Sequence, residues 1–260
     1  MILLADLGNR SLSLSVYDDW KEVCSFKTTS DKLKSADEYK DIIRQFLSLN
    51  KIDKEDIEGS ILESVVPSLT KRIEKAISSV LSKEVLVLSK KLKTGLAIRM
   101  DNPSELGSNL ISAAIGANHN YPNKDCLIIC LSTCLSFTLV TKDKQFLGGN
   151  LFPGMRESVY NMCDKSAQLM EIDLVRPDKL IAKSTSACIN SGVVKGYMFL
   201  IESMADEMEK EYGKPLERII TGPDSNIIKD YMPHNYSFNS HLLMDGLYEI
   251  YLKNTKKESK

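Results

Sequence analysis

Residues 2–18 read ILLADLGNRSLSLSVYD, two apolar segments on either side of a Gly-Asn-Arg turn. Ile2–Asp6 is typical of a buried first strand, and Leu12–Val16 and Glu22–Thr28 favour two further strands. An Asp-Asp turn separates the second strand from the third. The chain is therefore predicted to open with a three-stranded meander.

The rest of the chain repeats the order of a meander followed by helices and strands. A helix with Ser35 as its cap follows the first meander, and a second meander opens the other half. Apolar spacing predicts these segments: strand Gly59–Val66, helix Leu69–Leu81, strand Glu84–Leu88, strands Asp125–Leu131, Leu135–Thr141 and Phe146–Leu151, helices from Gly154, from Thr185 and over Lys195–Tyr212, and strand Arg218–Thr221. The repetition predicts the α/β class with two similar lobes and a cleft between them. The lobes are residues 1–117 and 118–260, joined by the helical segment Ser104–Ala117.

Charge and hydrophobicity exclude several classes of protein. Of the 260 residues, 43% are hydrophobic and 27% are charged, and the formal net charge is -1. A net charge this small creates no strong electrostatic field that would attract nucleic acid or an anionic membrane. No apolar run reaches the ~18 residues of a membrane-spanning helix. The N-terminus lacks the basic region of a secretory signal. We therefore expect a cytoplasmic protein with no nucleic-acid or membrane partner.

Three of the six cysteines, Cys126, Cys130 and Cys134, are spaced four residues apart and raise the question of a metal site. No C-x-x-C pair occurs there, and no histidine follows within ten residues. The segment is rich in Ile, Leu, Ser and Thr and favours paired strands. The three thiols are therefore predicted to be reduced core residues rather than metal ligands.

The sequence Asp6-Leu7-Gly8-Asn9 lies between the first two predicted strands. A carboxylate at a strand end, beside a glycine that lets the backbone approach closely, can hold a metal-bound nucleotide phosphate. An ordinary hairpin turn explains the same four residues, so the motif alone does not decide. Three further joints lie where a two-lobed nucleotide cleft places its loops: Glu63–Thr70, Gly148–Gly154 with Ser158 one turn further on, and Thr221-Gly222.

In their order and spacing these motifs resemble the type III pantothenate kinase family. They are D-x-G-N, S-V-V-P-S-L-T, N-P-x-E-L-G, G-G-x-x-x-P-G-x-x-x-S, S-T-x-x-x-x-x-S-G-x-x-x-G-Y and T-G, with a tail that reads DGLYEIY, and they extend over residues 2–254. The resemblance implies duplicated lobes of the actin-like (ribonuclease H-like) ATPase fold and a homodimer. It also implies transfer of phosphate from ATP to pantothenate, the first step of coenzyme A biosynthesis, with Mg²⁺ and a monovalent cation, K⁺ or NH₄⁺.

The resemblance also assigns roles to individual residues. Asp6 takes the position that places Mg-ATP and contacts Mg²⁺, and Thr185 the position that meets pantothenate bound to the partner subunit. The nucleotide-binding positions are Asp6, Gly8, Asn9, Arg10 (threonine in the family), Thr133 and Gly222. The substrate-binding positions are Met100, Gly107, Ser108, Leu110 and Thr185. Further matches are Gly149, Pro153, Gly154 and Ser158, and the helix positions Gly192, Gly196 and Tyr197.

Several chemical positions depart from the family pattern. The aspartate that acts as the base is Asn109 here, and the arginine beside it is Leu110. Asparagine cannot accept a proton at neutral pH. The aspartate that holds the monovalent cation is Cys130, and a neutral thiol is a poor ligand for a hard cation. A tyrosine is replaced by Met100, and Pro223 removes a backbone donor on the adenosine side.

No nearby acid in the sequence replaces the base. Glu105 belongs to the family's own E-L-G motif, and Asp101 lies on the other side of Pro103. Retained scaffold motifs beside replaced chemical ones predict a pantothenate kinase-like protein whose activity is impaired or absent. Three alternatives stay open: an active kinase of reduced rate, a catalytically dead paralogue with a nucleotide-binding, scaffolding or regulatory role, and a kinase of the same superfold with another substrate.

Overall fold

The contacts within the chain divide it into two units. The structure is a computed structural model that describes residues 1–89, 91–170 and 172–255. Unit 1 contains Met1–Leu96, Asn102–His119 and the C-terminal helix from Leu242, and unit 2 contains Ala97–Asp101 and Asn120–His241. Residues 256–260, the end of the predicted second lobe, lie outside the described residues.

Unit 1 is built on a five-stranded sheet in the order β3-β2-β1-β4-β5. Its elements up to the fifth strand are β1 (Ile2–Leu7), β2 (Ser11–Asp18), β3 (Lys21–Thr29), α1 (Ala36–Leu49), β4 (Gly59–Ser64), α2 (Pro67–Leu81) and β5 (Val85–Val87). Strands β1, β2 and β3 form the predicted antiparallel meander, and β4 and β5 continue the sheet parallel to β1.

Helix α1 begins where the sequence predicts a cap. Ser35 Oγ accepts a hydrogen bond from the Glu38 N–H at 3.2 Å, and Glu38 Oε2 accepts one from the Ser35 N–H at 2.7 Å. This capping box satisfies two backbone donors at the helix start. Helices α1 and α2 then pack on the sheet face that carries Leu3, Ala5 and Leu7.

Unit 2 has a six-stranded sheet in the order β11-β10-β7-β8-β9-β6. Its first strand along the chain is β6 (Ala97–Ile98). Helix α3 (Ser108–Asn120), which packs in unit 1, follows β6 in the chain. The remaining elements are β7 (Cys126–Leu131), β8 (Cys134–Val140), β9 (Gln145–Pro153), α4 (Met155–Asp164), α5 (Thr185–Asn190), α6 (Gly196–Tyr212), β10 (Glu217–Thr221), α7 (Ser225–Ile228) and β11 (Tyr236–Phe238). A π-helical turn, Ser191–Lys195, joins α5 to α6.

The two sheets share one topology. Strand β7 pairs antiparallel with β8 and parallel with β10, as β1 pairs antiparallel with β2 and parallel with β4. Strands β9 and β11 likewise occupy the places of β3 and β5, and β6 is an addition at the edge of the second sheet. The predicted class, α/β with two duplicated lobes, is confirmed.

The C-terminal helix returns to unit 1. Helix α8 (Leu242–Thr255) packs with α3 on the sheet face of Ile2 and Leu4. The two helices cross closely, because a Cβ on Gly246 would lie 1.8 Å from the Ser112 carbonyl oxygen. The predicted boundary between residues 117 and 118 assigned these C-terminal residues to the second lobe, whereas α8 belongs to unit 1. Apolar spacing predicts that a helix has a buried face but not which sheet covers it.

Within the described residues, no helix has both the length and the apolar character needed to cross a membrane.

Candidate functional site

Two carboxyl groups lie side by side at the ends of β1 and β4. These strands are parallel, with Asp6 directly opposite Glu63. Residues opposite each other on paired strands face the same side of a sheet, so both side chains lie on the face that α3 and α8 cover. Ser13 on β2 lies opposite Asp6, and Lys27 on β3 lies opposite Ser13. One polar row therefore crosses four strands at this edge of the apolar core.

Glu63 is held by the first residue of α3. Its side chain is fully buried, and Ser108 Oγ donates a hydrogen bond to Glu63 Oε1. The same Ser108 hydroxyl lies 3.2 Å from the Ser64 carbonyl oxygen. The second oxygen, Glu63 Oε2, is buried and meets no N–H or O–H donor among the described residues. A buried acceptor without a donor is costly, so this oxygen calls for a physical explanation.

The surroundings oppose a second negative charge on the pair. Burial raises the pKa of Glu63 well above its ordinary value, and the adjacent Asp6 carboxylate raises it further. Burial also raises the pKa of Asp6, an effect opposed by the hydrogen bond that a protonated Glu63 donates and by the positive charge of Lys27. A buried carboxyl beside a half-buried one needs a proton or a cation between them.

The donor set at this pair fits a divalent cation such as Mg²⁺. Mg²⁺ takes oxygen ligands and is commonly bound through one or two carboxylates, with water and substrate phosphates completing its shell. Asp6 and Glu63 supply two carboxylates, and Glu63 Oε2 is a buried oxygen that meets no donor among the described residues. The sequence interpretation named Asp6 but missed Glu63. The available signal was an acid inside the otherwise apolar strand segment Ile61–Glu63.

The turn after Asp6 is held by the end of β3. The Gly8 N–H donates to the Ser11 carbonyl at 2.9 Å, and Ser30 Oγ donates to the Gly8 carbonyl at 2.7 Å. The Ser30 N–H donates to the Arg10 carbonyl at 3.0 Å, and Asn9 is exposed. The predicted phosphate loop is therefore an anchored hairpin turn with an exposed tip.

The start of α3 carries Asn109, the residue that the sequence resemblance places at the family's base position. Asn109 is half-buried, and its Oδ1 lies where a Cβ on Gly107 would come within 2.7 Å, so the amide folds back over the glycine. Leu110 N–H donates to the Gly107 carbonyl at 3.1 Å and continues the first turn. Glu105 is exposed and accepts a hydrogen bond from Asn102 Nδ2 at 2.6 Å. Unit 1 thus places Gly107, Ser108, Asn109 and Leu110 on one helix start.

In unit 2, three loops meet at the end of β7. Gly222 has a φ of +95°, and a Cβ there would lie 2.4 Å from the Leu131 carbonyl oxygen. A Cβ on Gly154 would lie 2.7 Å from the Thr133 carbonyl, which accepts a hydrogen bond from the Gly154 N–H at 2.9 Å. The predicted positions Thr133 and Gly222 therefore lie on loops that both approach the end of β7.

Cys130 occupies the same place in unit 2 that Asp6 occupies in unit 1. It is the fifth residue of a six-residue strand, opposite Thr221 on β10 and Ser136 on β8. All three side chains are neutral, which does not fit a monovalent cation held by a carboxylate. Among the described residues, no group of three or more His, Cys, Asp and Glu side chains is arranged to hold a metal ion. At the other end of β7, burial raises the pKa of Cys126 to about 12.

Several of the motif residues serve packing. Tyr197 Oη donates to the Pro153 carbonyl at 2.7 Å and lies 2.6 Å from Ser158 Oγ, so two of the sequence motifs are tied together. A Cβ on Gly149 would lie 1.7 Å from the Phe137 carbonyl oxygen, which explains the glycine by the close approach of β8 and β9. The remaining predicted substrate positions lie in unit 2, with Met100 half-buried and Thr185 exposed at the start of α5.

Solved structures of low sequence identity share this fold. A Campylobacter jejuni protein described as a Baf family transcriptional activator is 18% identical, with 97% of this chain and 98% of that chain covered and a TM-score of 0.58. A Sinorhizobium meliloti protein described as a 2-dehydro-3-deoxygalactonokinase is 9% identical, with 100% and 99% covered and a TM-score of 0.64. The activator of the 2-hydroxyisocaproyl-CoA dehydratase from Clostridium difficile, solved with ADPNP bound, is 10% identical, with 100% and 99% covered and a TM-score of 0.52.

These likenesses establish the fold class, which is the two-lobed actin-like ATPase fold. The sequence is more specific. Residues 2–207 match the type III pantothenate kinase family. The match extends over more than half of the chain, and the chain belongs to that family.

Proposed function

We propose that this chain binds Mg-ATP but transfers phosphate from ATP to pantothenate very weakly or not at all. The observation that carries the proposal is Asn109, which stands at the start of α3 where the family has its base. An amide oxygen has negligible basicity, so it cannot take the proton from the pantothenate hydroxyl.

Neither nearby acid restores the base. Glu105 is exposed and bonded to Asn102 within its own short turn. Glu63 is closer to α3, but it holds either a proton or a cation, because burial and Asp6 raise its pKa. In neither state is the Glu63 carboxyl free to accept a proton from a substrate.

Two further replacements act in the same direction. Leu110 has no donor for substrate oxygens, and Cys130 stands where the resemblance places a carboxylate and lies opposite the neutral Thr221 and Ser136. Phosphoryl transfer relies on positioning and on the neutralisation of developing charge, so a kinase can survive one such loss at a reduced rate. Losing the base, the arginine and the cation carboxylate together removes more than one of these contributions, although they are not additive.

Nucleotide binding is expected to survive these losses. Asp6 and Glu63 are retained at the end of the first sheet, and the Gly154 and Gly222 loops keep their close backbone approach in unit 2. When bound, Mg²⁺ would neutralise charge on the phosphates. The alternative is a catalytically dead paralogue with a nucleotide-binding, scaffolding or regulatory role. The hydrogen bonds among Pro153, Ser158 and Tyr197 are retained, which favours a protein that keeps its fold for such a role.

We further propose a homodimer in which Thr185 reaches the site of the partner subunit. Support comes from unit 2, where Ile181 is 85% exposed and Phe199 is 52% exposed on α6. By contrast, Ile201 on α6 is fully buried in the unit's own core, and Tyr197 and Leu200 of α6 and Val193 of the preceding π-helical turn pack against that core. The proposed contact surface therefore includes the exposed side chains Ile181 and Phe199 and not the buried Ile201.

The proposal is tested by restoring the family residues. Asn109→Asp alone should not suffice, because Leu110 and Cys130 remain. Asn109→Asp, Leu110→Arg and Cys130→Asp together should yield phosphopantothenate above the wild-type level, measured by mass spectrometry of the product. Adding Asp6→Asn to the triple variant should abolish the gain. A folded triple variant, verified by circular dichroism, that makes no more product than wild type would contradict the role given to these positions.

A further inference from the structure

The Asp6–Glu63 pair has no counterpart in the second sheet. The two sheets share one topology, and in unit 2 the positions equivalent to Asp6 and Glu63 are Cys130 and Thr221, which also lie directly opposite each other. This fold therefore accepts a neutral pair at the ends of these two parallel strands. The carboxyl pair in unit 1 is not a requirement of the architecture.

Glu63 is also unfavourable for the fold by itself. It is fully buried, it lies directly opposite Asp6 on the neighbouring strand, and its Oε2 meets no donor among the described residues. Replacing both partners by neutral groups is nearly neutral for stability, whereas a buried charge without compensation is strongly destabilising. A ligand of positive charge would remove both penalties at once.

The position and orientation of Glu63 suit such a ligand. Ser108 Oγ engages Oε1, which leaves Oε2 as the oxygen available beside the Asp6 carboxylate. The cation nearest in the row, Lys27, lies two strands beyond Asp6 and is exposed. Within the described residues, no buried basic side chain adjoins the pair to neutralise it.

We propose that Glu63 is a second protein ligand of the divalent cation, sharing it with Asp6, and that Ser108 positions the Glu63 carboxylate. This deepens the proposed nucleotide-binding function, on which it rests for the identity of the cation. The site takes Mg²⁺, or Mn²⁺ as a probe, through two carboxylates before any nucleotide binds. The resemblance to the family assigns no role to Glu63.

The test is Mn²⁺ binding to the full chain without nucleotide, followed by the electron paramagnetic resonance signal of free Mn²⁺. Wild type should bind one Mn²⁺ per chain. Glu63→Gln keeps the shape and the Ser108 contact but removes the charge, and it should raise the Kd about tenfold or more. Glu217→Gln, at the start of β10 where Glu217 pairs with Lys124 at 2.6 Å, is the matched control and should bind like wild type.

A second variant distinguishes loss of Mn²⁺ binding from loss of folding. Glu63→Thr installs the residue that the fold already accepts at the equivalent position, Thr221. It should fold, bind Mn²⁺ as weakly as Glu63→Gln, and lose the rise in Tm that Mg²⁺ gives the wild type. The proposal is overturned if wild type binds no Mn²⁺ without nucleotide, or if both folded Glu63 variants bind it as tightly as wild type.

The two proposals fail in distinguishable ways. Mn²⁺ binding is measured without ATP, whereas the proposed function is tested by ATP binding and phosphopantothenate formation. A chain that binds Mn²⁺ through Glu63 but no ATP would retain this inference and lose the proposed function. A chain that binds Mg-ATP equally well with Glu63→Gln, and whose Mn²⁺ affinity is unchanged, would retain the proposed function and lose this inference.

Discussion

At the scale of single residues, the clearest constraints are those set by backbone contact. Gly222 combines a φ of +95° with a position where a Cβ would lie 2.4 Å from the Leu131 carbonyl oxygen. Gly213, at the end of α6, has a φ of +76° and nothing within 4 Å of the Cβ position. The two glycines therefore separate the cost of the left-handed backbone from the cost of crowding.

We expect Gly213→Ala to lower the free energy of unfolding by about 1–2 kcal/mol, the cost of a left-handed alanine. Gly222→Ala should lose a further ~1–3 kcal/mol, because the Leu131 backbone must move to admit the methyl group. Urea denaturation followed by circular dichroism measures both. Equal losses in the two variants would show that the β10–α7 loop is free to move away from β7.

Residue chemistry could be inferred from the sequence only in part. The expectation that Asn109 replaces the family's base and Cys130 its cation carboxylate rests on the surrounding motifs, because each position is identified by its neighbours in the chain. Glu63 could not be given a partner in the same way. Its neighbours Asp6 and Ser108 are 57 and 45 residues away, and only the strand register and the start of α3 bring the three together.

At the scale of elements, local signals located most helices and strands. The caps, turns and apolar spacing that predict β1 to β4, α1 and α2 act over a few residues, so they can be seen in the sequence. Strands β6 and β11 were missed because they have two and three residues, too few for a pattern, and are defined only by their pairing with β9 and β10.

The cap of α1 gives a prediction at this scale. Ser35→Ala removes the acceptor for the Glu38 N–H, and we expect it to lower the free energy of unfolding by about 1 kcal/mol. Ser48→Ala, an exposed position in the last turn of the same helix, is the control and should change stability by no more than ~0.5 kcal/mol. Thermal or urea unfolding compares them. Helix propensity alone should make Ser48→Ala neutral or slightly stabilising, so an equal loss in both variants would contradict a specific role for the capping box.

At the scale of the whole molecule, duplication explains what the sequence could and could not specify. Each half carries its own meander, so the repeat and the α/β class are visible as a repeated order of segments. The path of α8 back to unit 1 depends on close packing at Gly116 and Gly246, with a Cβ on Gly116 only 1.9 Å from the Leu242 carbonyl. No local pattern carries that information.

The proposed assembly can be tested by sedimentation at micromolar concentration. We expect the wild-type chain to be a dimer and Phe199→Asp to be a monomer, because a charge on α6 would have to lose its hydration in the interface. Leu49→Asp, which changes a 74% exposed leucine at the end of α1, should leave the dimer intact. A wild-type monomer, or a dimer that survives Phe199→Asp, would contradict the proposed surface.

The central claim is that the chain binds nucleotide but lacks an effective base. It is tested most directly by a coupled assay of ADP release from the purified wild-type chain with pantothenate, Mg²⁺ and K⁺. We expect a kcat far below ~1 s⁻¹, an ordinary rate for kinases, from protein that Mg-ATP stabilises in a thermal shift. A wild-type kcat near ~1 s⁻¹ would contradict the account and show that an acid other than residue 109, with Glu63 and Glu105 as the first to examine, takes the proton.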